Sequence, residues 1–195
     1  MANTPSTMLP LGTPAPSFQL PDYNGRLVAL ADFDAQRLLL IMFICNHCPF
    51  VKHVRGELAA LRRDHAAADL AIVAINPNDV VAYPADNAEN MAKEAAAAGY
   101  GFPYLLDETQ AVAKAYHAAC TPDFYLFDAA RRLIYRGQLD DSRPRASVPV
   151  SGADLRRAIS AALAGSPVPA EQRPSIGCNI KWKPNNEPAY YGAPR

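Results

Sequence analysis

Apolar residues along this chain form short continuous runs separated by stretches of helical spacing. Leu38 to Ile44 is an uninterrupted apolar run, and it predicts a buried strand because a membrane span needs about 20 such residues. After Cys48, apolar residues recur on one face of a predicted helix that ends near Ala68: Val51, Val54, Leu58 and Leu61. Leu70 to Ile75 is a second continuous run, so the pattern predicts strand, helix and strand in succession.

The remaining elements are predicted from turn and cap residues. They are a hairpin about Asn24-Gly25, helices over Met91 to Ala98 and Asp154 to Ala164, a short helix capped by Asp107, and a hairpin of Phe124 to Phe127 with Leu133 to Tyr135. This order predicts an α/β fold in which a central mixed sheet is flanked by helices. Beyond Ser166 proline is frequent and the spacing is lost, so we predict a domain over residues 1–165 and an extended tail over residues 166–195 that packs on it.

Composition excludes several classes of protein. Half of the 195 residues are hydrophobic, so a packed core is expected and global disorder is not. The 19 basic and 19 acidic residues cancel, so neither nucleic acid nor a membrane is expected as a partner. Met1 to Pro10 lacks the basic and apolar regions of a secretory signal, which predicts a cytoplasmic location. In that compartment a close pair of cysteines is typical of catalysis or metal binding.

The strongest chemical signal is Cys45-Asn46-His47-Cys48, between the first long strand and its helix. Two intervening residues allow both sulfurs to meet across the first helical turn, where unpaired backbone N–H groups stabilise an anion. A thiolate there has a lowered pKa and is the attacking species in disulfide exchange. A protonated His47 would stabilise the reduced form; the alternative is a solvent-facing histidine without a role. We predict a redox pair, with a metal site as the alternative.

A second candidate site is Cys120-Thr121-Pro122, which precedes the strand that begins near Phe124. A proline at the start of a sheet strand is found at an edge or at a special turn, and a cis bond is one such case. With a cis bond, the Thr121 backbone would turn outward and pair with an extended peptide or a cysteine-bearing substrate. The alternative is an ordinary trans proline that opens an edge strand.

Seven segments carry a family resemblance: Pro16-Ser17-Phe18, Cys45 to Val51, Ala74 to Asn78, Asp107 to Gln110, Cys120 to Phe124, Pro174 to Cys178 and Ile180 to Lys183. Together they resemble the thioredoxin superfamily, and in particular a group of peroxiredoxin-like (AhpC/TSA-like) stand-alone redoxins. The resemblance implies a thioredoxin-like fold, with Cys45 as the attacking thiol, Cys48 as the resolving thiol, and Pro122 as a cis-proline that faces them beside Thr121.

The resemblance also implies the activity. It indicates a thiol–disulfide oxidoreductase, antioxidant in role, that acts on disulfides or dithiols of proteins or small molecules. No cofactor is expected, and neither the electron donor nor the direction of the reaction is identified by the sequence. The peroxiredoxin pattern has a proline and a hydroxyl residue before its reactive cysteine; aligned on Cys48, these positions hold Ile41 and Cys45. Because these positions lack the proline and the hydroxyl, the sequence favours a thiol–disulfide oxidoreductase, with a thiol-dependent peroxidase as the alternative.

Further alternatives concern the other cysteines and the tail. A Sco-like carrier that binds Cu(I) through Cys45, Cys48 and Cys120 is a non-enzymatic alternative, because soft thiolates suit Cu(I). Cys120 and Cys178 are interpreted either as small buried hydrophobes or as accessory thiols. In the second case the tail folds back and brings Cys178 near Cys120 or the redox pair as a relay thiol. The aromatic pair Tyr190-Tyr191 would support a homodimer.

Overall fold

The structure, a computed structural model, describes residues 3–191, and its elements alternate between strands and helices. In chain order the strands are β1 (Asn3–Pro5), β2 (Gln19–Pro21), β3 (Leu27–Ala29), β4 (Leu38–Phe43), β5 (Leu70–Asn76), β6 (Tyr104–Leu106), β7 (Cys120–Thr121), β8 (Asp123–Phe127), β9 (Leu133–Gly137) and β10 (Ile176–Asn179). The helices are α1 (Pro49–Asp64), α2 (Ala88–Ala98), α3 (Ala111–Ala115) and α4 (Ala153–Leu163).

The central sheet has five strands in the order β6-β5-β4-β8-β9. Strands β4, β5 and β6 run parallel, whereas β8 is antiparallel to both of its neighbours, so the sheet is mixed as predicted. All six residues of β4 are buried, because the strand is covered on both faces. The end of this strand therefore lies inside the molecule, and the cysteine motif follows directly after it.

The two faces of β4 separate the core into two clusters, because successive side chains point to opposite sides of a strand. Leu38, Leu40 and Met42 pack on the side of α1 and α4. Leu39, Ile41 and Phe43 pack on the opposite side, against the β2–β3 hairpin and α3. The predicted arrangement of helices on both faces is confirmed.

The ends of most elements differ from the prediction by one or a few residues, and three helix boundaries have clear local reasons. Helix α1 ends at Asp64, not near Ala68, because residues 66–69 form a turn in which the Asp69 N–H donates to the Ala66 carbonyl. Helix α2 begins before Met91, because the Asn87 side chain accepts from the Asn90 N–H and caps it. Helix α3 begins at Ala111, after Gln110, and not directly after Asp107 as predicted. The Asp107 carboxylate nevertheless accepts a hydrogen bond from the Ala113 N–H at 2.8 Å.

The two ends of the chain meet in a second, three-stranded sheet that the sequence pattern did not predict. Strand β10, from the tail, lies between β1 and β7 and is antiparallel to both. Beyond β10, Ile180 and Trp182 are buried in the cluster on the hairpin side of the central sheet. The described part of the tail is therefore extended and also supplies a paired strand and core residues.

None of the described helices is both long enough and apolar enough to cross a lipid bilayer. Tyr190 lies against the molecule itself: its hydroxyl donates to the Ala118 carbonyl at 3.0 Å, and its ring stacks on His117. The adjacent Tyr191 is exposed. A homodimer through this pair stays a prediction.

The central position of β4 gives a stability prediction. Leu40 is completely buried, so Leu40→Ala should lower the free energy of unfolding by about 2–5 kcal/mol, because it removes apolar contacts and leaves a cavity. Leu27→Ala is the matched control, because Leu27 is 59% exposed on β3, and we expect a change within about 0.5 kcal/mol. Urea unfolding of both variants measures the difference; equal effects would contradict the assignment of β4 to the core.

Candidate functional site

The Cys45–Cys48 motif occupies the connection between β4 and α1. Ile44 still belongs to the sheet, because its N–H donates to the Ile75 carbonyl at 3.0 Å. Cys48 is the N-cap residue of α1, and Pro49 occupies the first helical position, where a missing N–H costs nothing. Both cysteines are buried, with 2% and 0% of their surfaces exposed, and both are reduced thiols.

Thr121 is the residue that both motif sulfurs contact. Its hydroxyl lies 3.5 Å from the Cys45 sulfur, and its carbonyl oxygen accepts from the Cys48 thiol at 3.2 Å. The Thr121–Pro122 peptide bond is cis, as the resemblance implies. The structure thus brings together four of the residues singled out in the sequence: Cys45, Cys48, Thr121 and Pro122.

Cys178 joins this group from the tail. In the pairing of β10 with β7, Cys178 lies directly opposite Thr121, and Asn179 lies opposite Cys120. Opposed residues of an antiparallel pair share one face of the ladder, so Cys178 lies on the face on which Thr121 meets the motif. Cys178 and Cys48 belong to the same buried cluster and lie close enough for each thiol to shift the pKa of the other.

Cys120 is not part of the thiol group. It precedes Thr121 on β7, so its side chain points to the opposite face, where its thiol contacts the Pro122 carbonyl at 3.7 Å. The Cu(I) ligand set of Cys45, Cys48 and Cys120 that the sequence suggested is therefore not assembled. The physical reason is the alternation of side chains along β7, which places Cys178 where Cys120 was expected.

The negative charge of the reduced site is stabilised on Cys48. Hydrogen bonds from the thiols of Cys178 and Cys45 lower the pKa of Cys48, and the Val51 N–H adds to this effect at the start of α1. These donors, together with the Thr121 side chain, outweigh the burial of Cys48, which alone opposes them. Conversely, the hydrogen bond to Cys48, burial and the charge of Asp86 raise the pKa of Cys45. The assignment of Cys45 as the attacking thiol and Cys48 as the resolving thiol stays a prediction.

Asp86 anchors the loop between the two cysteines, and the sequence did not single it out. Its carboxylate is fully buried and accepts from the backbone N–H groups of Asn46 and His47 at 2.8 and 3.2 Å. It also contacts the His47 Nδ1 atom at 2.6 Å. The Asn78 amide donates to it at 2.8 Å. The sequence around Asp86 shows only an aspartate in a polar loop, which is a common pattern, so it does not indicate that this residue anchors the cysteine loop.

His47 is held by Asp86 and borders solvent. The hydrogen bond to Asp86 raises the pKa of His47, although burial opposes that rise. Burial raises the pKa of Asp86, but the hydrogen bonds from His47 and Asn78 outweigh it and leave the pKa below its ordinary value. The His47 ring stacks on Tyr83 with centroids 5.9 Å apart, and 31% of its side chain is exposed. His47 therefore faces solvent and also contacts Asp86, and a role for it in the redox chemistry stays a prediction.

A metal could be considered at Cys45, His47 and Asp86, whose ligand atoms lie within 4.8 Å of one another. However, the His47 Nδ1 and Asp86 Oδ2 atoms are already bonded to each other at 2.6 Å, and the carboxylate accepts three further hydrogen bonds. A metal ion would have to displace this network. The arrangement therefore fits a set of thiols beside a hydrogen-bonded carboxylate better than a metal centre.

Comparisons with known proteins agree with this geometry. A model of the AhpC/TSA family matches residues 11–136. A curated protein of Mycobacterium tuberculosis that carries the provisional name of a peroxiredoxin is 30% identical over 115 residues, which is 59% of this chain and 68% of the relative.

Two solved structures extend the comparison. An uncharacterised conserved protein from Geobacillus kaustophilus is 56% identical, with 94% of this chain and 98% of that chain covered and a TM-score of 0.91. The thioredoxin domain of a thiol-disulfide oxidoreductase from Bacteroides vulgatus is 19% identical, with 66% and 88% covered and a TM-score of 0.56. The second likeness establishes a thioredoxin-like fold.

Asp86 gives a prediction about stability. Asp86→Asn should lower the free energy of unfolding by about 1–3 kcal/mol, because an amide cannot accept from all the donors that meet the carboxylate. The pKa of His47, followed by NMR, should fall toward its ordinary value of 6.5 in this variant. Glu89→Gln is the control, because Glu89 is exposed and pairs only with Lys93 at the surface. An unchanged His47 pKa in D86N would contradict the pairing.

The His47–Asp86 pair also gives a prediction about pH. Because the pKa of His47 is raised in the folded state, the pair stabilises the protein fully below pH 6.5, and that contribution is lost as the pH rises through the folded pKa. The destabilisation caused by His47→Gln should therefore shrink as the pH rises above 6.5 and through the raised folded pKa of His47. Burial lowers the pKa of His65, so His65→Gln should instead gain stability relative to the parent as the pH falls below 6.5. Urea unfolding across the pH range measures both trends, and parallel trends would exclude the pair.

Proposed function

The chain belongs to the AhpC/TSA family of the thioredoxin superfamily, and from this premise we propose that it is a thiol–disulfide oxidoreductase whose redox pair is Cys45 and Cys48. The observation that carries the proposal is the contact of both sulfurs with Thr121 at the start of α1. Two thiols held against one residue can form a disulfide without movement of the sheet. The hydrogen bond between them allows one proton to be shared, as a thiol–thiolate pair requires.

In this proposal Cys45 attacks a substrate disulfide, and Cys48 resolves the mixed disulfide that results. The Cys45 thiol first gives its proton to the neighbouring Cys48, which then holds it as a thiol. The Cys45 thiolate then forms a bond with one substrate sulfur, and the other substrate sulfur leaves as a thiolate. Cys48 next gives its proton to the substrate thiolate that has left and attacks the Cys45 sulfur. The bond between Cys45 and the second substrate sulfur breaks, that sulfur leaves as a thiolate, and Cys45 and Cys48 are joined as a disulfide.

The substrate class that the surroundings favour is a small disulfide or dithiol. A groove of about 350 Å³ borders the motif, and Asn46, His47 and Lys52 line one side of it. That volume is in the range of small-molecule sites. The edge of β7 at which an extended protein substrate was expected to pair is occupied by β10. A protein substrate would need this strand to move. Neither cysteine lines the groove, so a small molecule held there would need only the loop of Asn46 and His47 to shift in order to reach the sulfurs.

A second candidate function is the reduction of peroxides at Cys48, because the lowered pKa of Cys48 supplies a resting thiolate. Its sulfur would attack the O–O bond and become a sulfenic acid, and the leaving oxygen would take up a proton as water or an alcohol. The Cys45 thiol would then attack that sulfur, release water and form the disulfide. A peroxide is small enough to reach a sulfur that is 0% exposed once the site opens slightly.

Two single-cysteine substitutions test these assignments. Cys45→Ser should abolish the reduction of a small disulfide such as oxidised glutathione and of insulin, and Cys48→Ser should accumulate a mixed disulfide at Cys45. Peroxide consumption should be lost in C48S, while C45S should still make a sulfenic acid at Cys48 in one turnover. The measurements are thiol release and intact mass after alkylation.

The control is Cys120→Ser, because Cys120 is an equally buried cysteine on the other face of β7. It should retain both activities and the parent's mass pattern. Full disulfide reduction by C45S would overturn the proposed redox pair. Peroxide consumption by C48S at the rate of the parent would overturn the second candidate and leave the first intact.

A further inference from the structure

Strand β10 occupies the position at which a substrate peptide was expected. It pairs antiparallel with β7, and Cys178 is the residue placed opposite Thr121. An extended substrate that carried a cysteine would use the same backbone edge and bring its sulfur to the same face. The chain thus presents one of its own cysteines to its redox motif.

The position of β10 is fixed by close packing. A Cβ atom on Gly177 would lie 2.0 Å from the Thr121 carbonyl oxygen and 3.1 Å from the Pro122 nitrogen, so only glycine permits this approach. On one side of Gly177, the Ser175 hydroxyl donates to the Pro122 carbonyl at 2.6 Å. On the other side, the Ile180 N–H donates to the Ala119 carbonyl at 3.1 Å. Cys178 is therefore held against the motif and is not a residue of a loose tail.

We propose that Cys178 is a third redox-active thiol, which attacks the Cys45–Cys48 disulfide at the Cys48 sulfur and forms a Cys48–Cys178 disulfide; this rests on the proposed function. The new bond joins β10 to the start of α1. The Cys45–Cys48 bond breaks, and its electron pair leaves on Cys45, which takes up the proton that Cys178 released. The exchange needs no further oxidant, because the oxidising substrate has already made the first disulfide.

The order of these steps follows from the charges around Cys178. In the reduced protein, the hydrogen bond to Cys48, burial and the negative charge on Cys48 all raise the pKa of Cys178, so Cys178 is a thiol. When Cys48 enters a disulfide, its charge disappears, while Lys181 still favours a thiolate at Cys178. Oxidation of the pair thus removes two of the causes that keep Cys178 protonated, while burial still opposes its ionisation.

After this exchange Cys45 is a free thiol again, and the disulfide joins Cys48 and Cys178. All three sulfur-bearing residues are buried, and Cys178, at 6%, is the most exposed of them; it lies on the middle strand of the sheet formed by β1, β10 and β7. An external reductant would then meet a disulfide that involves the tail and not the buried pair.

Disulfide mapping of the full-length protein tests this proposal. The reduced protein is oxidised with diamide, its free thiols are blocked with N-ethylmaleimide, and tryptic peptides are analysed by mass spectrometry over time. Trypsin leaves Cys45 and Cys48 on one peptide, Leu38 to Lys52, and places Cys178 on another. The first disulfide is therefore internal to one peptide, and the second links two.

The parent protein should show the internal disulfide first and the cross-linked peptides later, as the main oxidised species. The cross-link should be lost in Cys178→Ser, where the internal disulfide accumulates, and in Cys48→Ser. It should persist in Cys45→Ser, because diamide can join Cys48 and Cys178 directly, and in Cys120→Ser, the matched control.

The outcomes separate this proposal from the one on which it rests. If the internal disulfide forms and Cys178 remains fully alkylated, the third thiol is overturned while the redox pair stands. If no internal disulfide forms in the parent protein, both proposals are overturned. A cross-link that persists in C48S would show that Cys178 bonds to Cys45, and it would overturn the assigned order of exchange.

Discussion

The buried carboxylate of Asp86 determines where the motif sulfurs lie. Cys45 and Cys48 are separated by a loop whose two central N–H groups would be unpaired inside the protein, and Asp86 accepts from both. An unpaired buried N–H group costs about 1–3 kcal/mol, so a loop without this carboxylate would rearrange. The loop geometry in turn sets the approach of both sulfurs to Thr121. The chemistry of the site thus depends on a residue that carries no redox chemistry itself.

The same carboxylate connects the motif to the tail. The Asn78 side chain donates to Asp86 and accepts from the Lys181 N–H at 2.9 Å. Lys181 follows β10, so the strand that holds Cys178 is bonded, through Asn78, to the group that holds the loop. The two parts of the thiol group are therefore positioned by one network of hydrogen bonds, and such networks favour a single arrangement when every member is satisfied.

The distribution of charge among the three sulfurs has a physical logic. Burial alone would raise the pKa of each thiol, because it disfavours the thiolate. One thiolate is nevertheless stabilised on Cys48, since the start of a helix and two neighbouring thiols all donate toward it. The two donors become harder to ionise for the same reason. The three thiols therefore influence one another, and a negative charge on Cys48 disfavours a second one on Cys45 or Cys178.

Much of the fold was available from the residue pattern. The continuous apolar runs around Leu40 and Val73 predicted the two central strands, because a strand covered on both faces needs no polar positions, and the spacing from Val51 to Leu61 predicted α1. The motif cysteines and the Thr121-Pro122 pair were also identified from the sequence as candidate site residues, because each forms a recognisable motif of adjacent residues.

Tertiary structure alone decided the rest. Asp86 and Cys178 are far from the motif in sequence, and each reaches it only because a turn or a strand brings it back. Strand β10 has too few residues to show a period, and its pairing is set by the approach of Gly177 to Thr121, which no local pattern encodes. The sequence by itself determined which sulfur chemistry this chain contains. The three-dimensional contacts decided which sulfur bears the charge and which third thiol stands beside it, because pKa values and contacts depend on groups that only folding assembles.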